Sequence, residues 1–202
     1  MKRVGVVDYD AGNLTSVKTA LKFLEAEYII SSRPEELEET EQLIFPGVGE
    51  ARTAMQNLRS RGLDNFIRDY FQSGRQMLGI CLGSQIVLSK SEEHNTKCLD
   101  IVPGTARRFS RNSGLKVPHM GWNRVYPVRP SALFNDIPAG TSFYFVHSYY
   151  PDPHAESAVV ATAEYGITFT SALQLDNLHA VQFHPEKSGK WGLKLLQNFL
   201  NF

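Results

Sequence analysis

Cysteine is scarce in this 202-residue chain: Cys81 and Cys98 are its only two, and neither belongs to a Cys-x-x-Cys pair. That excludes a disulfide framework and leaves a zinc or iron–sulfur centre without its usual ligand spacing. An excess of one charge is lacking as well, since Lys plus Arg and Asp plus Glu both total 21. Phosphate backbones are held by clustered cations. The run Arg107-Arg108-Phe109-Ser110-Arg111 is the one local candidate, and it reads as a solvated edge, so no nucleic-acid partner is expected. No apolar run approaches the ~20 residues that span a bilayer. The opening Met1-Lys2-Arg3-Val4-Gly5-Val6-Val7-Asp8 turns acidic too early for a secretory signal and reads as a first strand. A cytoplasmic protein without a membrane partner is the expectation.

Internal repeats, low-complexity tracts and linkers are also missing. With 42% hydrophobic residues, the chain can build one substantial core, so a single domain over residues 1–202 is expected. Short apolar runs alternate with helical patterns through the first half. Strands are expected at Arg3–Val7, Tyr28–Ile30, Leu43–Phe45 and Gln76–Ile80. Leu14, Val17, Leu21 and Leu24 fall at helical spacing, with Asn13 placed to cap them. Pro34-Glu35-Glu36 suits a helix's first turn, and two further amphipathic stripes cover Ala51–Leu58 and Leu63–Phe71. Beyond residue 105 the pattern turns strand-rich, at Ala106–Phe109, Val125–Val128, Phe143–Val146, Ser157–Ala163, Phe169–Leu173 and Ala180–Phe183, before a closing helix through Trp191, Leu195, Phe199 and Phe202. The fold class is therefore α/β: a central, mostly parallel sheet flanked by helices, with an additional antiparallel strand region.

The chemistry concentrates where apolar runs stop. Leu78-Gly79-Ile80-Cys81-Leu82-Gly83-Ser84-Gln85 carries a thiol into a turn between glycines, the cysteine counterpart of the Gly-x-Ser-x-Gly elbow. A sulfur raised at such a strand-to-helix turn meets the helix N-terminus, which favours the thiolate. A thiolate converts an amide to a thioester that water then hydrolyses. His184 is placed to move the proton. Glu186, two residues on, would share its face on an extended segment and hold the ring. Pro46-Gly47-Val48-Gly49 can bring backbone N–H donors to a developing oxyanion, with Leu82 N–H as the second donor. The same glycines lack the lysine of a Walker A loop and the GxGxxG dinucleotide spacing, so no phosphate cofactor is expected. His119, His147 and His179 lack metal-ligand spacing, and no metal is assigned. His147-Ser148-Tyr149-Tyr150 could line the pocket, and Gln85 and Glu93 lie just beyond the nucleophile.

Together, Gly79-Ile80-Cys81-Leu82-Gly83 and His184-Pro185-Glu186 resemble the class I, or triad, glutamine amidotransferases. Further motifs narrow the likeness, which covers the whole chain: Asp8-Tyr9-x-x-Gly12-Asn13-Leu14-x-Ser16, Pro46-Gly47-Val48-Gly49, Pro118-His119-Met120-Gly121-Trp122-Asn123 and Phe145-Val146-His147-Ser148-Tyr149. They are similar to those of members that serve L-histidine biosynthesis. The resemblance implies hydrolysis of L-glutamine to L-glutamate and ammonia by Cys81, His184 and Glu186. It also implies oxyanion amides at Val48 and Leu82, and glutamine contacts from Gly47, Gly49, Gln85, Glu93, Ser148 and Tyr149. A separate (β/α)8 cyclase subunit would receive the ammonia through a protein channel in a heterodimer, with Asn13, Trp122, Asn123, Tyr144 and Lys187 near the interface. No cofactor is implied. The chain departs from the pattern at Ser84, where methionine is usual, and at Asp10-Ala11, where glycine is common. Amination of surface polysaccharides, a noncatalytic scaffold and a cysteine peptidase or deglycase are the competing expectations.

Overall fold

A computed structural model describes residues 2–10, 14–110 and 114–202. Its elements, in chain order, are β1 (Val4–Val7), α1 (Leu14–Phe23), β2 (Tyr28–Ser31), α2 (Pro34–Leu37), β3 (Gln42–Gly47), α3 (Ala51–Ser60), α4 (Leu63–Gln72), β4 (Gln76–Cys81) and α5 (Leu82–Ile86). There follow β5 (Leu88–Ser91), β6 (Thr96–Lys97), β7 (Val102–Arg108), β8 (His119–Pro127), β9 (Thr141–His147), β10 (Tyr149–Pro153), β11 (Val159–Glu164), β12 (Thr168–Leu175), β13 (Leu178–Val181) and α6 (Gly189–Leu200).

Strands β1 and β3 are buried at every position, the pattern of strands covered on both faces. Their side chains divide between two cores. Val4, Val6 and Ile44 meet Val17 and Leu21 of α1 and Leu195 and Phe199 of α6. Val7, Leu43 and Phe45 meet Ala54, Met55 and Leu58 of α3 and Phe66, Ile67 and Tyr70 of α4. Each fully buried side chain of this size contributes roughly 1.5–3 kcal/mol relative to exposure, so the two helical layers fix the sheet between them.

The main sheet runs β2-β1-β3-β4-β13-β12-β11-β8-β9. Its first five strands are parallel, and the pairings from β13 to β9 are antiparallel. The antiparallel region thus extends the central sheet instead of standing apart from it. A second sheet, β10-β7-β5-β6, packs beside it. Strands β5, β6 and β10 are not among the sequence expectations, because none shows a strand pattern of its own. Leu88 is the one apolar residue of β5, β6 has only two residues, and β10 contains Pro151 and Pro153. Pairing with β7 and with one another makes them strands.

The break that matters most for function lies after β13. Leu178–Val181 ends before the expected strand does, and His184 leads into a 3-10 turn, Pro185–Lys187. His184 and Glu186 are therefore not alternating strand residues. Proline sets the first turn's φ, and the turn brings the carboxylate back to the ring. The expected cap at Asn13, and Gly12, Ala11 and Arg111, lie outside the described residues. Among those described, no helix is long and apolar enough to cross a membrane.

Candidate active site

Cys81 ends β4 at φ 54°, ψ −105°, a backbone conformation that L residues rarely hold. The elbow forms because β4 must turn directly into α5 over β3. At Gly83 an added Cβ would collide with the Phe45 carbonyl, so only glycine lets the turn pack this closely. Ser84, fully buried, donates its hydroxyl to the Cys81 carbonyl at 2.7 Å, which gives this unusual residue a supporting place in the elbow. Helix α5 has only five residues, so its dipole is limited to a single turn, and the sulfur's surroundings rest on side chains instead.

Those side chains come from the segment that follows β13. Ile80 of β4 pairs with Val181 of β13, so ladder hydrogen bonds hold the two strand ends side by side. Gln182 Nε2 donates to Cys81 Sγ at 3.7 Å, and the sulfur lies 3.9 Å from the Val146 carbonyl. His184 Nδ1 and Glu186 Oε1 are 2.8 Å apart, with both side chains 2% exposed. The backbone around them is tied down as well. His184 N–H donates to Tyr144 O at 2.9 Å, and Ser188 Oγ donates to His184 O at 2.6 Å.

Burial pulls the His184 imidazole down, but the charge and proximity of Cys81, and after them Glu186, outweigh it and push the pKa up to about 10. His184 Nε2 is nevertheless buried without a hydrogen bond of ordinary geometry among the described residues. The sulfur therefore acts on it mainly through charge. An imidazole so placed holds a proton that a leaving amine can take.

Cys81 opens into a cavity of about 230 Å³, whose walls include Val48, Gly49, Leu82, Gln85, Glu93, Ser148 and Tyr149. Of the residues expected to contact glutamine, Gly47 alone does not line it, and His184 and Glu186 sit behind Cys81 and not in the wall. Gly47 is buried in β3 against Tyr9 and Leu82. Glu93 is half-buried, and its Oε2 accepts from Ala51 N–H at 2.7 Å at the start of α3. Gln85 Nε2 donates to Tyr149 O at 2.9 Å and to Gln182 Oε1 at 3.0 Å. Pro118, Val146 and His147 complete the walls. Gln182 is the residue sequence reasoning missed. Its signal was its place two residues before His184, just past the strand paired to β4.

The expected interface residues separate. Trp122 and Tyr144 are Cα partners across β8 and β9, with ring centroids 6.2 Å apart, and Trp122 is 60% exposed. Met120 and Tyr126 share that face of β8. Asn123 lies on the opposite face, where Nδ2 donates to Glu164 O at 2.8 Å. Lys187 is half-buried in the turn beside Glu186. Asn13 lies outside the described residues.

Within the basic run only Arg107 forms ion pairs among the described residues, Arg108 lies over the Tyr149 ring, and Arg111 falls outside those residues. Arg107 pairs with Asp152 and Glu92, and Phe109 is buried. Cys98 is a buried structural thiol, its pKa pushed up to about 12 chiefly by burial. Among the described residues no group of three or more His, Cys, Asp or Glu could hold a metal ion.

A strained cysteine elbow, a buried imidazole–carboxylate pair and a cavity at the C-terminal ends of parallel strands coincide with a family match. The family model for glutamine amidotransferase class-I matches residues 5–201, and the chain belongs to that family. Within it, the chain is 47% identical over 200 residues to the imidazole glycerol phosphate synthase subunit HisH of Moorella thermoacetica, covering 98% of this chain and 94% of that one. It is 46% identical over 206 residues to the same subunit of Nitrosococcus oceani, covering 100% and 98%. The fold is that of a solved glutamine amidotransferase (TM-score 0.74, 22% identity, 98% and 97% covered) and of PurLQS from Thermotoga maritima (TM-score 0.76, 18% identity, 100% and 99% covered).

Proposed function

We propose that this chain is the glutaminase subunit of imidazole glycerol phosphate synthase in L-histidine biosynthesis, with Cys81, His184 and Glu186 as its hydrolytic triad. The observation that carries the reading is the convergence of the strained Cys81 elbow and the His184–Glu186 pair beside a cavity of glutamine size.

The Cys81 thiolate attacks the side-chain carbonyl of glutamine, whose oxygen takes the negative charge between the Val48 and Leu82 amides. As the tetrahedral intermediate collapses, His184 gives its proton to the amide nitrogen, the C–N bond breaks, and the nitrogen leaves as ammonia. Water then attacks the thioester, His184 takes the water's proton, and glutamate leaves as the sulfur is released. Glu186 keeps the ring oriented and favours its protonated form. Gly49, Gln85, Glu93, Ser148 and Tyr149 hold the substrate. The Glu93 oxygen not used at the start of α3 suits the α-ammonium group.

Ammonia explains the partner. In bulk water it becomes ammonium and is lost as a nucleophile, so the product must leave through a covered route. A (β/α)8 cyclase subunit, docked over the exposed Met120–Trp122 face, would receive it and form imidazole glycerol phosphate and the aminoimidazole carboxamide ribonucleotide. Such an assembly works in the cytoplasm.

Glutamate release tests the reading, measured with the chain alone and with its cyclase plus nucleotide ligand, beside Cys81→Ala. Activity that rises in the complex and vanishes in the variant is expected. Folded wild-type proteins that release no glutamate would reject it.

A further inference from the structure

His119 and His147 are Cα partners across β8 and β9, and both are almost fully buried. Phe109, Phe145, Tyr165 and Phe169 surround the His119 ring, with Tyr165 stacked on it at a centroid distance of 4.1 Å. The mechanism above uses neither histidine. His147, however, lines the cavity.

Their protons can be placed by elimination. A carbonyl oxygen only accepts, and Tyr149 O lies 2.7 Å from His147 Nδ1, so that nitrogen carries hydrogen. Burial holds both rings far below the ordinary imidazole pKa, His119 at about 4 and His147 at about 3. Both are therefore neutral at neutral pH, and His147 Nε2 must accept. His119 Nδ1, 2.9 Å away, is then the donor. His119 Nε2 is left as an acceptor, facing Asn123 Nδ2 at 3.3 Å. The amide's orientation is fixed independently, because Asn123 Oδ1 accepts from Arg124 N–H at 2.8 Å. Donation thus runs one way, from Asn123 to His119 to His147 to the Tyr149 carbonyl. That carbonyl also accepts from Gln85, which donates to Gln182, which donates to the Cys81 sulfur.

We propose that His119 is a positioning residue for the substrate cavity. Through His147 it sets the Tyr149 carbonyl, and thereby holds the Gln85 and Gln182 amides where glutamine can lie against Cys81. The role rests on the glutaminase reading. The pair exchanges no proton with substrate and acts only by fixing the wall that binds it.

Two variants and one spectroscopic measurement test this on the full-length chain. His119→Phe keeps the aromatic packing and removes both ring nitrogens, while His119→Asn places an amide donor near the lost Nδ1. In the cyclase complex, His119→Phe should raise the glutamine KM about tenfold or more with kcat changed less than about threefold, and His119→Asn should restore most of the difference. An unchanged KM in His119→Phe overturns the proposal. So does an equal loss of kcat and of thermal midpoint in both variants, which would mark a packing role alone. Nitrogen-15 correlation spectra of the imidazoles should show hydrogen on Nδ1 of both rings at about pH 7, and an Nε2–H tautomer at either overturns the chain of donation. If the wild type releases no glutamate yet shows both tautomers, the glutaminase reading falls and takes the positioning role with it, leaving the hydrogen-bond chain as architecture.

Discussion

Gln182 stands between Cys81 and Gln85: its Nε2 donates to the Cys81 sulfur at 3.7 Å, and its Oε1 accepts from Gln85 Nε2 at 3.0 Å. A neutral amide holds the sulfur in place without adding a second cation beside His184. Gln182→Leu removes both ends at similar volume. It should lower kcat/KM for glutamine about 10- to 100-fold, since the attacking thiolate of the proposed mechanism loses a charge-assisted hydrogen bond. Steady-state glutamate release in the cyclase complex checks this, and wild-type rates would reject it.

Glu186→Gln keeps the shape beside His184 and removes the charge. One of the influences raising the imidazole pKa disappears with it, so the basic limb of the kcat profile should move to lower pH. The rate should fall about 100-fold or more, because the ring loses the carboxylate that favours its charged form. A pH–rate profile that superimposes on the wild type would show that the carboxylate does not act on the ring.

Tyr9 is fully buried, and its hydroxyl has no hydrogen-bond partner among the described residues. Removing an unsatisfied buried group should stabilise the fold, so Tyr9→Phe is expected to gain about 1 kcal/mol in urea unfolding. Gly47→Ala would drive a Cβ into that hydroxyl and to 2.9 Å from Leu82 Cβ. It should cost about 1–3 kcal/mol, and the double variant should recover part of the loss. Strict additivity would mean that the two residues do not meet as described.

Stability should fall on both sides of a maximum near neutral pH. His119, His147 and His179 have folded pKa values of about 4, 3 and 4, below their ordinary 6.5. The unfolded chain therefore takes up protons first as pH drops below 6.5, and the contribution of these neutral rings is lost progressively down to pH 3. His184 has the opposite sign. Its contribution is complete below 6.5 and is lost as pH rises to about 10. Urea midpoints from acid to alkali should trace both limbs, and His184→Asn should flatten the alkaline one only.

Trp122 and Asn123 are neighbours in sequence with opposite expectations. Trp122 is 60% exposed beside Met120, so Trp122→Ala should leave the thermal midpoint unchanged and weaken cyclase binding by about 2 kcal/mol or more. Asn123→Ala removes side-chain bonds to Glu164 and His119 and should lower the midpoint. Calorimetric titration and thermal melts separate the two effects.

The parallel half of the sheet was legible because β1, β3 and β4 are largely apolar runs, and such runs become strands covered on both sides. Cys81, His184 and Glu186 could be picked out because each follows the end of such a run. The route joining His184 to Glu186 could not, since Pro185 suits both an extended segment and the first turn of a 3-10 helix. Gln182 and the His119–His147 pair stayed hidden for another reason. Their partners lie 101, 97 and 28 residues away, and register across strands is set by the assembled sheet. Asn123, expected near the interface from the resemblance, faces away from Trp122, because alternate residues of β8 point opposite ways.

Strand β13 fills the centre of the sheet, between β4 and β12, although Leu178–Val181 is the last strand in the chain. During synthesis β4 therefore waits with an unpaired, apolar edge until nearly the whole polypeptide has emerged. Chains ending before Leu178 should be sticky and inert. The same delay is protective under the proposed triad: Cys81 meets His184 only when the final strand closes the gap, so a half-made enzyme would have no means of consuming glutamine.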